Sequence, residues 1–469
     1  HSSDHSYMVV WCERWFLIHH SLLTYIFNCD MKNLINKYLL VLGIIAAGAM
    51  GMNSCADYAQ GVARPIDLIT DDLLNDESQV QFLTNGVQRQ FSLAYAQMTS
   101  LAGVHADEFL FDTRVPNATF PTFLDIDLGI IQLDNNSVNN QWTTLGNMRF
   151  TADNFAERIN KITFATPAAR SAALYTANLY GGIARFWYAA YYGFEPNRGG
   201  GVINAGPFIP SAAMYDSAVA KFRIALDNAS NDLQRRTVNS LIAKTLLAAE
   251  RYADARTAAQ NGLRRGDASL NALYDLGTTI SNQWFFDGGR NRTQIIPDPR
   301  FARYIAADSL EGRVFPARVV GSAISFTGTD AEFIASLSSR RLLLHGPITA
   351  GGLTFHVQGR FPNQDSPMPV ITWQENELIL AETALRVANS PNDALTNVNN
   401  VRTFHNLAAR TVTNLDSVYI ERDKQLFATG MRVIDQRRFN RWHITTTGAW
   451  RFLPIGQPER NVNKNLPSQ

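Results

Sequence analysis

Acidic, basic and aromatic side chains alternate between residues 101 and 140, and this composition suits contact with a ligand. Asp112, Arg114 and Phe120 stand in this stretch among further Asp and Phe residues, and two prolines interrupt any helix. Long polar and aromatic loops on a rigid scaffold commonly carry binding sites. Each Phe could equally pin a surface loop to the core, so both interpretations stay open for any single ring.

A second stretch of the same kind covers residues 267–372 and is rich in Gly, Ser, Thr, Arg and aromatic residues. The run WFFDGGR, from Trp284 to Arg290, is its most suggestive part. A Trp offers a wide flat face and an Arg offers a fork of donors, so the pair could hold a ligand without reacting with it.

Paired carboxylates could do chemistry, because hydrolysis of a glycosidic bond needs two acids at a defined separation. The pairs are Asp107/Glu108, Asp125/Asp127 and Glu375/Glu377. Adjacency in sequence does not give that separation, and solvated or helix-capping roles are ordinary for such pairs. Known nucleophile, zinc, phosphate-loop and dinucleotide motifs do not occur in their required context, and the later histidines stand singly. We therefore predict no catalytic residue, no metal site and no cofactor.

Helices are the elements that would position these loops. Leu378, Ala381, Leu385 and Ala388 recur at helical spacing, and Pro391 then suits the first position of a second helix. A similar helix-turn-helix pattern, with small residues at the crossing points, fills residues 214–266 and indicates tetratricopeptide-like hairpins. Such hairpins must stack to bury their faces.

The prediction is a mostly α fold of stacked tetratricopeptide-like helical hairpins with long irregular loop regions. We expect hairpins at about 141–266 and 373–442, and loop-rich ligand regions at about 101–140 and 267–372. Residues 55–469 would form one domain.

The C-terminal region carries a basic set of residues with acids between them. The set comprises Arg422, Arg432, Arg437, Arg438, Arg441 and Arg451. Because the acids interleave with the arginines, we predict ion pairs that fix the tail against the helices rather than a patch for an anionic partner.

Residues 1–30 begin without Met and show no periodicity that would bury their aromatic residues. We interpret them as upstream sequence that is not native to the protein, with Met31 as the true start. A genuine N-terminal extension is the alternative.

Residues 31–54 have the pattern of a bacterial export signal. Lys32 and Lys37 precede the apolar segment 38–49, which is too short for a comfortable membrane-spanning helix. Cys55 follows directly after small and polar residues, and we predict that it is the lipidated residue of a lipoprotein. An ordinary signal peptide with an incidental Cys is the alternative.

Composition excludes several classes of protein. The formal net charge is +1, so a nucleic-acid partner is not expected. The only cysteines are Cys12, Cys29 and Cys55, so the body of the chain has no disulfide and no thiol nucleophile.

The C-terminal motifs resemble those of the SusD/RagB family of surface nutrient-binding lipoproteins. ELILAETALR and ALTNVNNVR are similar to the family's paired helices, IERDKQLFATGMRVIDQRRFNRW to its charged stretch, and LPIGQPERNVNKNL to its ending. Three positions depart from the family pattern: Gln425, the pair Phe427-Ala428, and Gly456.

The resemblance implies a lipid-anchored protein of the outer membrane that captures an oligosaccharide or another nutrient, without catalysis. It would deliver the ligand to a SusC-like TonB-dependent transporter. The loop residues expected to contact ligand are Trp284, Arg290, Phe120, Asp112 and Arg114. A helical-repeat scaffold that binds a protein at the envelope and a glycoside hydrolase are the alternatives.

Overall fold

A computed structural model describes residues 71–277, 280–321, 323–327, 335–336 and 339–467. The upstream segment 1–30, the signal segment 31–54 and Cys55 lie outside the described residues, so their assignments stay predictions.

Helices dominate the described chain. In order they are α1 (Val80–His105), α2 (Pro121–Asp127), α3 (Asn136–Ile159), α4 (Pro167–Tyr191), α5 (Ser211–Asp227), α6 (Asp232–Ala248), α7 (Tyr252–Gln260), α8 (Gln283–Asp287), α9 (Arg300–Ala307), α10 (Trp373–Arg386), α11 (Pro391–Phe404), α12 (Leu415–Gln425), α13 (Arg432–Arg438) and α14 (Gln457–Val462).

Several of these helices begin where the sequence supplies a side-chain cap. The Asn135 side chain accepts a hydrogen bond from Val138 N at the start of α3, and the Thr166 side chain accepts one from Ala169 N at the start of α4. Pro167 then occupies the first turn of α4, where a missing N–H has no cost. Short polar residues followed by apolar periodicity thus fix the starting points of α3 and α4.

The long helices pack as consecutive hairpins. α3 packs on α4, α4 on α5, α5 on α6 and α6 on α7, while α10 packs on both α11 and α7. This arrangement confirms the predicted mostly α fold of stacked helical hairpins. The α4–α5 crossing is close: a Cβ atom on Gly182 would lie 2.6 Å from the ring of Phe222.

Small sheets connect the helices. The strands are β1 (Phe109–Leu110), β2 (Tyr192–Glu195), β3 (Arg198–Gly201), β4 (Ile209–Pro210), β5 (Leu270–Ala272), β6 (Ile296–Pro297), β7 (Gly312–Phe315), β8 (Ala317–Val320), β9 (Ala323–Phe326), β10 (Leu342–Ala350), β11 (Leu353–Gln358), β12 (Met368–Ile371) and β13 (Leu453–Pro454). β10 pairs with β11 antiparallel and with β7 parallel, while β1 pairs with β6, β5 with β12, and β8 with β9.

A small apolar cluster holds the loop after β1 against these strands. Val115 is buried with Ile296, Ile348, Phe355 and Val357. The middle of the loop that carries Asp112, Arg114 and Phe120 is therefore anchored on the β10–β11 hairpin.

The tail is fastened to the helical body. β13 extends the sheet formed by β2, β3 and β4, with Leu453 paired in parallel to Tyr192. Ile455 is fully buried, and a Cβ on Gly456 would lie 2.8 Å from the Trp142 ring. β13 and the short helix α14 form in this segment rich in Pro, Asn and Gly because the tail packs into a groove of the body.

Three of the six C-terminal arginines, Arg422, Arg432 and Arg438, form buried ion pairs as predicted, and Arg441 forms one at the surface. Arg438 donates two hydrogen bonds of 2.8 Å to Glu382 of α10, and Arg422 donates two, of 2.8 and 2.9 Å, to Asp435. Arg438 also reaches Asp435 at 2.8 Å. These side chains are almost completely inaccessible to solvent, and they join α10, α12 and α13.

Both predicted loop regions contain more regular structure than expected. α1 continues to His105 because Leu101, Ala102 and Val104 are buried in the core. The later region holds the strands from β5 to β12, of which β5, β6 and β7 pair with strands that are distant in sequence.

Candidate ligand-binding site

A cleft of about 300 Å³ opens beside Phe120. We call it the Phe120 cleft. Its lining combines two aromatic rings with amides, hydroxyls and one carboxylate. The lining residues are Gln97, Leu101, Phe120, Pro121, Thr122, Phe123, Asn136, Ser137, Asn140, Gln283 and Asp287.

Phe120 is the exposed aromatic residue of this cleft. It is 38% exposed and precedes α2, and its ring meets Phe123 edge-on at 5.8 Å between centroids. An apolar ring beside polar groups suits a ligand with both a C–H face and hydroxyl groups.

The side chain of Gln294 fixes the position of Phe120. Its Oε1 accepts hydrogen bonds from Thr119 N at 2.8 Å and from Phe120 N at 3.1 Å, and its Nε2 donates to the Asn117 carbonyl. Gln294 is fully buried, so these bonds are shielded from water. The sequence analysis did not identify Gln294, because it lies 174 positions after Phe120 and nothing near it in the sequence indicates the contact.

Arg292 holds the Phe120 ring from the same loop. Its guanidinium carbon lies 4.4 Å from the ring centroid, and its Nη2 donates to Thr119 Oγ1. This cation–π contact restricts the ring before any ligand binds.

Asp287 supplies the carboxylate of the cleft. Its Oδ2 accepts a hydrogen bond from Ser100 Oγ at 2.8 Å, and its Oδ1 accepts one from Gln283 Nε2 at 2.9 Å. Burial raises the pKa of Asp287 to about 6, and those two hydrogen bonds oppose the shift. The Asp287 carbonyl also accepts from Ile295 N, which closes the loop that carries Arg292 and Gln294.

The predicted stacking role of Trp284 does not fit its position. Trp284 is fully buried, its Nε1 donates to Thr99 Oγ1 at 2.9 Å, and its ring packs 4.5 Å from the Phe109 ring. A ring without an accessible face cannot stack on a sugar. The residue instead anchors α8, so that Gln283 and Asp287 on either side of it reach the cleft.

The other three predicted residues lie away from this lining. Asp112 and Arg114 form a salt bridge at 2.5 Å, with the Arg114 side chain 51% exposed, beside Gly351 in the β10–β11 turn. Arg290 lies near the ring of Phe326, with its guanidinium carbon 5.8 Å from the centroid. Of the five residues, the structure places only Phe120 in the cleft.

Two of the acids singled out as carboxylate pairs have structural partners in the body. Asp107 Oδ1 accepts from Arg432 Nε at 2.6 Å and from Arg300 Nη2 at 3.1 Å. Glu108 is buried and accepts from Ala428 N at 2.8 Å, and burial raises its pKa to about 8.

Three of the four acids in the remaining pairs are likewise engaged. Asp127 accepts from Phe111 N at 3.0 Å, and Glu375 lies 3.3 Å from Lys244 Nζ. Glu377 accepts from Asn400 Nδ2 at 3.1 Å. None of the three predicted pairs lines the Phe120 cleft.

The described residues contain no group of three or more His, Cys, Asp or Glu residues placed to hold a metal ion. No helix within them is long and apolar enough to span a membrane.

The sequence matches no protein-family profile and no curated protein, whereas its fold matches many solved structures. A SusD superfamily protein from Bacteroides thetaiotaomicron VPI-5482 superposes with a TM-score of 0.63 at 16% identity, over 84% of this chain and 99% of that one. A laminarin-binding SusD-like protein gives 0.61 at 12% identity, over 82% and 98%. Surface glycan-binding protein A from Bacteroides thetaiotaomicron gives 0.60 at 12% identity, over 84% and 98%.

These matches define the class of fold. The chain has the fold of the SusD superfamily, and the resemblance carried by its C-terminal motifs is confirmed at that level.

Proposed function

We propose that this protein binds a saccharide in the Phe120 cleft and holds it without cleaving it. The observation that carries this proposal is the cleft itself, where an exposed ring fixed by Gln294 and Arg292 faces amides, hydroxyls and Asp287. Saccharides present C–H faces to aromatic rings and hydroxyl groups to amides and carboxylates.

The fold supports the proposal, because one structure that shares it is named as a laminarin-binding protein and another as a surface glycan-binding protein. The lining of the described cleft also holds one carboxylate, Asp287, whereas glycoside hydrolysis ordinarily uses two. Binding without chemistry is therefore the function that the site favours.

The cellular role belongs to the same proposal. An acylated Cys55 would tether the protein to the outer membrane, and a SusC-like TonB-dependent transporter would receive the ligand. The export pattern of residues 31–54 and the SusD fold support this arrangement. Mass spectrometry of the mature N-terminus would test the lipid, and co-purification from membranes would test the transporter.

Binding is tested by native gel retardation against a panel of polysaccharides, followed by calorimetry with oligosaccharides. We expect at least one polysaccharide to retard the wild-type protein, and Phe120→Ala to weaken that binding at least tenfold because the stacking face is lost. Phe150→Ala is the matched control, since Phe150 is 57% exposed on α3 and lies outside the cleft lining.

The outcomes separate the alternatives. Equal losses of affinity in the Phe120 and Phe150 variants would show that the Phe120 cleft is not the binding site. Binding to no saccharide, with the fold intact, would favour the protein-binding scaffold. Release of reducing ends from a bound polysaccharide would identify a hydrolase instead.

A further inference from the structure

Asp287 is the single charged residue in the lining of the Phe120 cleft, as far as the described residues show. The other polar members of that lining are neutral amides and hydroxyls. Within the described residues, Asp287 is therefore the one charge in that lining, and the neighbouring Arg292 guanidinium acts on it from outside the lining.

A cation of the same loop, Arg292, is engaged with the Phe120 ring. Arg292 stacks on Phe120 with 4.4 Å between the guanidinium carbon and the ring centroid, and it donates to Thr119. It does not belong to the cleft lining, so its guanidinium supports the ring rather than facing the cavity.

The Asp287 carboxylate retains capacity for ligand hydroxyls. A carboxylate has about four acceptor positions, and Ser100 and Gln283 use one each in the described structure. Hydroxyl groups that donate to an ionised carboxylate form short, charge-assisted bonds. Adjacent hydroxyls of a sugar ring can occupy the two remaining positions.

An acidic saccharide would be repelled by the same carboxylate. Asp287 is only 3% exposed, so water screens its charge poorly. A uronate or sulfate group in the cleft would lose its own hydration and face a like charge at low effective dielectric.

Resting on the saccharide-binding function proposed above, we infer that Asp287 is a specificity-determining residue that makes the Phe120 cleft select uncharged saccharides over saccharides that carry carboxylate or sulfate groups. Its carboxylate accepts the hydroxyls of a neutral sugar and repels an anionic one.

The test uses one glycan in two charge states. A neutral oligosaccharide that binds the protein is oxidised at its primary hydroxyls to carboxylates, and both forms are titrated by calorimetry at pH 8. We expect the wild-type protein to bind the neutral form at least tenfold more tightly. We expect Asp287→Asn to reduce that ratio at least tenfold, because it removes the repulsion and weakens the acceptor.

Asp112→Asn is the matched control. It removes a carboxylate from the preceding loop, which pairs with Arg114 outside the cleft lining, and should leave the ratio unchanged. The wild-type ratio needs no variant, so it keeps the inference falsifiable even where Asp287→Asn fails to fold.

Equal wild-type affinities for the two forms would overturn the inference, as would an unchanged ratio in a folded Asp287→Asn protein. Either result, together with binding that depends on Phe120, would leave the proposed function standing. Absence of binding to every saccharide would overturn both.

Discussion

Glu108 shows how a single buried acid can make stability depend on pH. Its Oε1 accepts one hydrogen bond from Ala428 N, and its Oε2 has no hydrogen-bond partner among the described residues. Burial outweighs that bond and raises the pKa from 4.5 to about 8, so the carboxyl group is largely protonated at neutral pH.

Glu108→Gln should therefore become progressively more stable than the wild type as pH rises. In the unfolded chain Glu108 ionises near pH 4.5, whereas in the folded chain it ionises near pH 8. Its contribution to stability is fully present below pH 4.5 and is lost between those values, by a few kcal/mol. Urea denaturation of both proteins from pH 4 to pH 9 measures the difference, and a constant difference would contradict the assignment.

The composition of the site was only partly predictable from residue types. Phe120 was found because an exposed ring in a polar loop has a local signature. Asp287 and Gln294 could not be predicted in this way. Asp287 contacts Ser100 and Gln294 contacts the main chain at Thr119, and both partners are distant in sequence. The sequence does not show which residues tertiary contacts bury, and for that reason the prediction that Trp284 binds ligand was not met by its buried position.

Among the elements, the α4–α5 crossing depends on one glycine. Gly182→Ala should destabilise the protein, although Ala favours helices by about 1 kcal/mol, because its Cβ would lie 2.6 Å from the Phe222 ring. We expect a net loss of about 1–2 kcal/mol in urea denaturation.

Gly146→Ala in α3 is the control for that substitution. The nearest atom to its added Cβ is the Tyr188 hydroxyl at 3.8 Å, so the helical preference should dominate and the variant should gain up to about 1 kcal/mol. The same sign for both variants would argue against a steric limit at Gly182.

Helix periodicity revealed the hairpins well, since α10 and α11 bury one face and signal their start with capping residues or Pro391. It could not reveal the short strands. β1, β6 and β13 have two residues each, and they exist only through partners elsewhere in the chain.

Across the whole molecule, the buried ion pairs connect the hairpin α10–α11 to the C-terminal helices. Glu382 is fully buried and accepts from both Arg438 and Arg386. Glu382→Gln should cost about 3–5 kcal/mol, because it leaves two buried arginines to share the single negative charge of Asp435.

Arg441→Ala provides the comparison for Glu382→Gln. Arg441 pairs with Asp416 at the surface, where the two side chains are 43% and 69% exposed, so its loss should cost less than about 1 kcal/mol. Calorimetric melting of the two variants distinguishes the cases. Similar shifts in melting temperature would mean that burial does not determine how much these ion pairs contribute to stability.

The pairing of β13 with β2 can form only late in synthesis of the chain. A ribosome makes Tyr192 some 260 codons before its partner Leu453, and the groove that receives Ile455 stays open until then. A chain interrupted before that point leaves apolar surface and an unpaired strand edge exposed to proteases. Only chains synthesised past Ile455 can therefore complete this sheet and fill the groove.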